Sequence, residues 1–399
     1  MIQQNDPEYS MQKLFHTLLA FMLSMGIYAQ DSTYSGEKHL TLNGYVKDMQ
    51  TVIIPNNDKN SQTDNLIHNR LNFKWNISRN FTFCLEERNR FYWGELVKSM
   101  PGYKYYISYD NGLVNMSWNI LCDSVYVLNT AIDRVWIDFT RSKFQITVGR
   151  QRINWSQTYV WNPNDIFNTY SYFDFDYEEK PGSDALRFQY FTGPASRLEI
   201  AVNADKQQRM TAAALYRFNK WDYDFQALGG LFEQHDLVAG IGWAGQIAKG
   251  GFKGEATYFH PVRHFTDTSG VFLASIEYDY TFKNSLFLQF EGLYNSNNNN
   301  STDLLLQQMN SQLLNPKNPF LGGFSVFGNI SYPVTPLVNA SLAGILNPDN
   351  GLYFIIPSMT VSLSNNLDLS LIAQSFHSYS GKGSINGETL VFIRMKGSF

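Results

Sequence analysis

The side chains of this chain most able to act on a solute are charged ones set at alternate positions of short segments. Lys47, Arg70 with Lys74, Arg88 with Arg90, and Arg134 follow a two-residue period; Arg150 and Arg152 follow Gly149. In an extended strand that period places side chains on one face, and a bulge at Gly149 is expected to turn Arg150 and Arg152 to it as well. Their expected partners are the acids of the stretch 152–184: Asp165, Asp174, Asp176, Glu178, Glu179 and Asp184. Cations facing carboxylates across a narrow gap create a transverse field, which orients polar solutes and penalises apolar ones. The competing outcome is mutual neutralisation and a closed gap. Glu86 and Asp138 share the basic face, while Asp222, Asp224, Glu255, Glu277, Asp279, Glu291 and Asp368 keep the same parity further along.

Catalytic chemistry has less support. The sequence holds no Walker loop, G-x-S-x-G elbow or H-E-x-x-H pair. His260 and His264 have helical ligand spacing but flank Pro261, and nothing singles out Ser275 or Ser370 as a nucleophile. No enzyme activity, metal or cofactor is expected.

The elements that must carry those charges are strands. Segments of about ten residues with two-residue alternation recur from "LTLNGYVKD" to "LVFIRMKGSF", some eighteen in all. Charged residues are 17% of the chain, against roughly 25% in ordinary soluble domains. Aromatics reach 16%, yet the mean hydropathy is only -0.28. Many aromatics, few charges and alternating segments suit a transmembrane antiparallel up-and-down β-barrel. Inward placement of the charges is then nearly forced, since hydrocarbon does not solvate them. A net charge of -4 gives no reason to invoke nucleic acid.

The connections test this reading. Tight turns are expected at 78–80, 141–143, 193–196, 219–221, 248–251, 283–285, 333–336 and 364–366, all in one phase. The long connections 92–127, 152–184 and 296–319 fall in the other phase, as surface loops would. The stretch 152–184, the third surface loop in chain order, is too rich in Tyr, Phe and Trp for an exposed excursion, so it is expected to fold into the lumen. Trp75, Trp93, Trp221, Trp243, Phe282 and Tyr332 lie near strand ends, where interfacial girdles belong. In the loop 296–319, "DLLLQQMNSQLL" is expected to cover the barrel mouth or to meet a partner such as a surface lipoprotein.

Residues 1–29 read as a secretory signal, with the start lying at Met11 if the preceding residues are a misassigned leader, and 30–399 as one barrel domain. Cys84 and Cys122 are compatible with a disulfide or with two free thiols.

Several of these stretches resemble known families. The basic wall and inward third loop resemble general and substrate-specific porins of Gram-negative outer membranes, and "YAQDS" is similar to signal cleavage sites in Bacteroidota. The terminal Phe399 resembles the last-strand signal that such barrels present to their assembly machinery. Gly149, Arg150, Gln151, Trp155, Asn162, Pro163 and Asp165, in "VGRQRINWSQTYVWNPNDIF", resemble a porin-like family related to alginate-export barrels. The resemblance implies passive diffusion of small polar solutes, in contact with outer-membrane lipid and lipopolysaccharide, as a monomer or homo-oligomer. Its alternatives are a passage in an export system for lipid-like or polymeric cargo, and a closed structural or polysaccharide-binding barrel.

Overall fold

The computed structural model describes residues 39–55, 60–176, 178–263, 265–297, 314–378 and 387–399. The expected signal and the tract 303–313 lie outside the described residues. Nineteen strands are present among those described. The first half holds β1 (Leu40–Pro55), β2 (Gln62–Asn76), β3 (Phe81–Gly94), β4 (Ser117–Cys122), β5 (Tyr126–Arg141), β6 (Phe144–Gln151), β7 (Ser183–Phe191), β8 (Arg197–Ala204) and β9 (Met210–Lys220). Then come β10 (Tyr223–Phe232), β11 (Asp236–Ile247), β12 (Gly250–Pro261), β13 (Val271–Thr281) and β14 (Phe287–Asn295). The last are β15 (Gly323–Thr335), β16 (Val338–Asn347), β17 (Leu352–Ser364), β18 (Leu367–Ser378) and β19 (Glu388–Ser398).

Each strand except β4 pairs antiparallel with its neighbours in chain order, and β1 pairs with β19, so eighteen strands close into a barrel. Closure leaves no exposed edge, the condition for spanning lipid with strands. The seam is stitched where Gly44 N–H donates to Phe399 O at 2.9 Å and Phe399 N–H donates to Gly44 O at 3.0 Å. β4 is the nineteenth strand, inside the second loop. It pairs with residues 127–131 of β5, beyond the point where the short β6 stops. Among the described residues no helix is long and apolar enough to cross a membrane.

The eight tight turns all fall at one end, as the alternation of loop lengths predicts. Three are displaced in detail: β9 runs on to Lys220, which moves its turn to Trp221–Asp222. β15 runs on to Thr335 through a register shift, and Gly250 and Gly251 belong to β12. The two-residue turns Trp221–Asp222 and Ala248–Lys249 place both residues at positive φ, as tight hairpins require, without the usual asparagine or glycine. Side-chain parity then separates two worlds. Val148, Leu186, Ile241, Ile276 and Phe290 are exposed on the outside, whereas Lys47, Arg70, Glu255 and Glu291 are buried in the bore.

Candidate functional site

The third loop, residues 152–182, leaves β6, crosses the bore and returns to β7. β2 and β12 stand nine strands apart in the ring of eighteen, and the loop is fastened to both sides of that diameter. On the β2 side its later half meets cations and a histidine. Lys47 Nζ lies 2.9 Å from Asp176 Oδ1 and 3.5 Å from Glu178 Oε1, while His68 Nδ1 lies 2.7 Å from Asp176 Oδ2. Glu178 also takes Lys396 at 2.7 Å and Arg394 at 3.3 Å. Arg134 donates to the Glu179 carbonyl, and Tyr45 Oη donates to its carboxylate at 3.1 Å. Burial would raise the Asp176 carboxyl; the adjacent Lys47 ammonium and His68 hold it well below the usual carboxylate range.

The β12 side works differently. Glu255 on β12 accepts the backbone N–H groups of Gln157, Thr158 (2.9 Å) and Asn164 (2.8 Å). Glu291 on β14 accepts those of Val160 (2.7 Å), Trp161 (2.8 Å) and Tyr159 (3.2 Å), with Ser275 Oγ at 2.8 Å. Both carboxylates are about 1% exposed, and N–H donors supply the hydrogen bonds such buried acceptors need. Asn164 keys into the wall: it donates to Ile241 O at 2.9 Å and accepts from Thr257 Oγ1 at 2.6 Å. Gly240 leaves the room it needs, because a Cβ there would fall 2.5 Å from Asn164 Oδ1.

Two apolar clusters wedge the loop in place. Trp161 and Phe173 pack with Leu66, Leu293, Phe327 and Phe354, and Trp155, Ile166 and Phe167 pack with Leu215, Leu228 and Phe259. Beside the loop a cavity of about 280 Å³ remains against β17 and β18, lined by Tyr170, Asp174, Glu178, Lys180, Ser358 and Gln374. Lys180 Nζ sits 3.0 Å from the centroid of the Tyr170 ring. A second cavity, about 220 Å³, is lined by Gln157, Arg197, Arg217 and Asp224.

The residues expected from sequence divide into three groups. Lys47, Arg70, Arg134, Arg152, Asp165, Asp174, Asp176, Glu178 and Glu179 come together around the loop; Arg152 Nη2 lies 3.3 Å from Asp165 Oδ2. Arg88 pairs with Asp133 at 3.1 Å, Arg90 donates to Asn129 at 2.9 Å and to Ile107 O, and Lys74 is exposed towards the turn end of β2. Arg150 and Asp184 depart from expectation. They face each other on β6 and β7, with Arg150 Nε 2.6 Å from Asp184 Oδ1 and Nη1 2.8 Å from Asp110. Arg150 is thus enclosed in a wall patch with the second loop, and Asp184 belongs to β7 rather than to the third loop. Gly149 has φ 117, but pairing on both sides runs through it without a register shift, so it is a kink and no bulge.

The bulge lies on β5 instead. Glu86 opposes Arg134 and Glu87 opposes Ile132, so Asp133 is the extra residue and points inward beside Arg134. Buried Asp133 binds both Arg70 and Arg88 and is the acid that sequence parity missed. The signal was present: strict alternation sends either Asp133 or Arg134 into lipid. Also missed were Arg187 (2.9 Å) and Arg197 (3.3 Å) on Glu199, with Arg217 nearby. Trp155 Nε1 donates to the same Glu199 at 2.5 Å, and Gln151 Nε2 ties β6 to β7 through Ala185 O at 3.1 Å. Asn162 O accepts from Asp165 N–H at 3.0 Å, closing the turn around Pro163 that presents Asn164. Cys84, buried, and Cys122, exposed, are both free.

A closed eighteen-strand barrel with an apolar skin, a charged interior and an inward loop is the fold of outer-membrane porins. Solved structures agree. OccAB4 of Acinetobacter baumannii superposes with a TM-score of 0.55 at 10% identity, covering 91% of this chain and 99% of that one. OccK8 (OprE) of Pseudomonas aeruginosa gives 0.56 at 9%, covering 90% and 98%. The outer membrane channel DcaP of A. baumannii gives 0.50 at 11%, covering 92% and 100%. At such identities the likeness is one of fold. No family model matches the sequence, and no curated protein matches it.

Proposed function

We propose that this barrel is an outer-membrane porin through which small hydrophilic solutes diffuse passively, past a waist narrowed by the third loop. The observation that carries the reading is the loop itself, fastened across the bore at both sides yet leaving beside it a cavity into which Asp174, Glu178 and Lys180 are set. At that waist the solute meets Lys180, Asp174 and Glu178; towards the turn end it meets Arg187, Arg197 and Arg217, with Glu199 among them. The basic wall and the acids of the third loop together form the charged constriction, most of its ions paired, so that field rather than free charge selects. The signal at 1–29, the Bacteroidota-like source and the likeness to alginate-export barrels belong to this same proposal. So do Phe399 as the mark read by the assembly machinery, contact with lipopolysaccharide, and a surface lipoprotein as partner.

A closed barrel is the second reading, favoured by the direct pairing of Lys47 with Asp176 and by the two apolar clusters against the loop. Liposome swelling with sugars, amino acids and phosphate separates the two. A porin gives swelling rates that fall with solute size. Liposomes as tight as protein-free ones sink the proposal and support the closed barrel.

A further inference from the structure

The charges of the barrel are unevenly spread. β15, β16 and β17 carry no Asp, Glu, Lys or Arg, and β18 carries one, Asp368, beside the turn; every other strand of the barrel carries at least one. Leu342, Met359 and Leu371 are exposed on the outside, so the residues next to them in sequence face the bore. Between the waist and the turn end those inward positions hold mainly hydroxyls and amides, joined across the strands. Ser331 Oγ donates to Asn339 Oδ1 at 3.0 Å, the Oγ atoms of Ser341 and Ser358 lie 2.7 Å apart, and Thr360 Oγ1 lies 3.0 Å from Ser370 Oγ. A hydroxyl has one donor and two acceptor positions, so each pair keeps donors and acceptors to spare.

This uncharged wall is the one beside which the waist stays open. Ile356, Ser358, Ile372 and Gln374 form the wall side of the cavity of about 280 Å³, and Tyr159, Tyr170 and Tyr172 line it from the third loop. Tyr159 is 49% exposed; its ring lies 5.9 Å from that of Tyr172, which leans on Phe327 at 5.0 Å. Glu291 accepts the backbone N–H groups of Tyr159 and Val160 and so fixes that aromatic face. Gln374 is 1% exposed: its Nε2 donates to Phe173 O at 3.2 Å, and its Oε1 has no partner among the described residues. The charged groups set into the cavity are already engaged. Glu178 is taken by Lys47, Lys396 and Arg394, Lys180 lies over the Tyr170 ring, and Asp174 is partnered too.

We propose that the waist selects neutral saccharides over charged solutes, an inference that rests on the porin reading and names its solute class. A sugar ring is amphipathic in the same way as the cavity. Its C–H face matches the flat apolar rings of Tyr159 and Tyr172. Its hydroxyls both donate and accept, which suits Ser358 and Gln374 and then Thr360 and Ser370 towards the turn end. An ion meets no counter-charge on β15 to β18 before Asp368, and an apolar solute leaves the hydroxyls of the wall unpaired.

Uptake of labelled glucose, gluconate and glucosamine into liposomes holding the native chain tests this, since the three differ in charge and little in size. Glucose is expected to enter about threefold or more faster than either charged relative, and excess maltose to slow it. Equal rates for the three, or faster entry of a charged one, overturn the inference and leave the porin reading standing; entry of none sinks both. Tyr159→Ala should bring the ratio of glucose to gluconate entry down towards one, while Tyr159→Phe, which keeps the ring, should hold it near the native value. A folded, heat-modifiable Tyr159→Ala barrel with the native ratio contradicts the assigned stacking face, and the native comparison stands by itself if that variant does not fold.

Discussion

The two sides of the bore hold the same loop by opposite means. On the β2 side, cationic side chains meet the carboxylates of residues 174–180, and the partners are charges on both sides of the contact. On the β12 side, two carboxylates of the wall accept six backbone amides of residues 157–164, and among the described residues no counter-cation takes part. Ion pairs tolerate exchange of partners and weaken with salt; a carboxylate set among amides has fixed directions and shifts only if the backbone does. The difference teaches that the early part of the loop is the fixed anchor, while in the later part the ion pairs of the more exposed Glu178 are the ones that solute and salt can loosen.

The largest effect expected from breaking this contrast comes from removing the anchor. Glu255→Leu with Glu291→Leu leaves those amides without acceptors, and single-channel conductance should rise several-fold as residues 157–164 leave the wall. Next is Arg70→Met, which abandons Glu86 and buried Asp133 on the ionic side. Stranding buried charges costs about 3–5 kcal/mol, and urea unfolding should report it, with Asp133→Asn in the same chain recovering part.

A smaller effect should follow pH. Burial, and then the Arg152 guanidinium, push the Lys180 ammonium down to about 7. It is charged below that value and loses its proton as pH rises through it, so the waist sheds a positive charge. Reversal potentials in a salt gradient should therefore move towards cation preference between about pH 6 and 8, and Lys180→Met should flatten the curve. The smallest change is expected for Arg88→Ser with Arg90→Ser. Both are tied to the β5 wall, so anion preference should weaken only slightly; a shift larger than that in Lys180→Met would contradict the placement.

The barrel was legible in the sequence because its two periods are local. Alternation marked the inward face, and the phase of tight turns marked the ends, so even the displaced turn at 336–337 left the count of barrel strands intact. What escaped depended on breaks in period or on distant partners. Asp133 next to Arg134 announced a bulge that strict alternation overlooked, whereas Gly149 suggested one that its positive φ made unnecessary. β4 hid inside a long loop because its "WNILC" is apolar without a clean period. Parity placed Glu255 and Glu291 inside, but nothing local says that their partners are amides some hundred residues away. Asn164 stood unmarked between motif residues, although it is the one that enters the wall.

Single-channel recording in planar bilayers tests the central claim most directly. A loop anchored at Glu255 and Glu291 beside an open waist predicts discrete conductance steps for the native chain and larger steps for the double Leu variant. A native chain that never conducts, or a variant whose steps match the native ones, would contradict it.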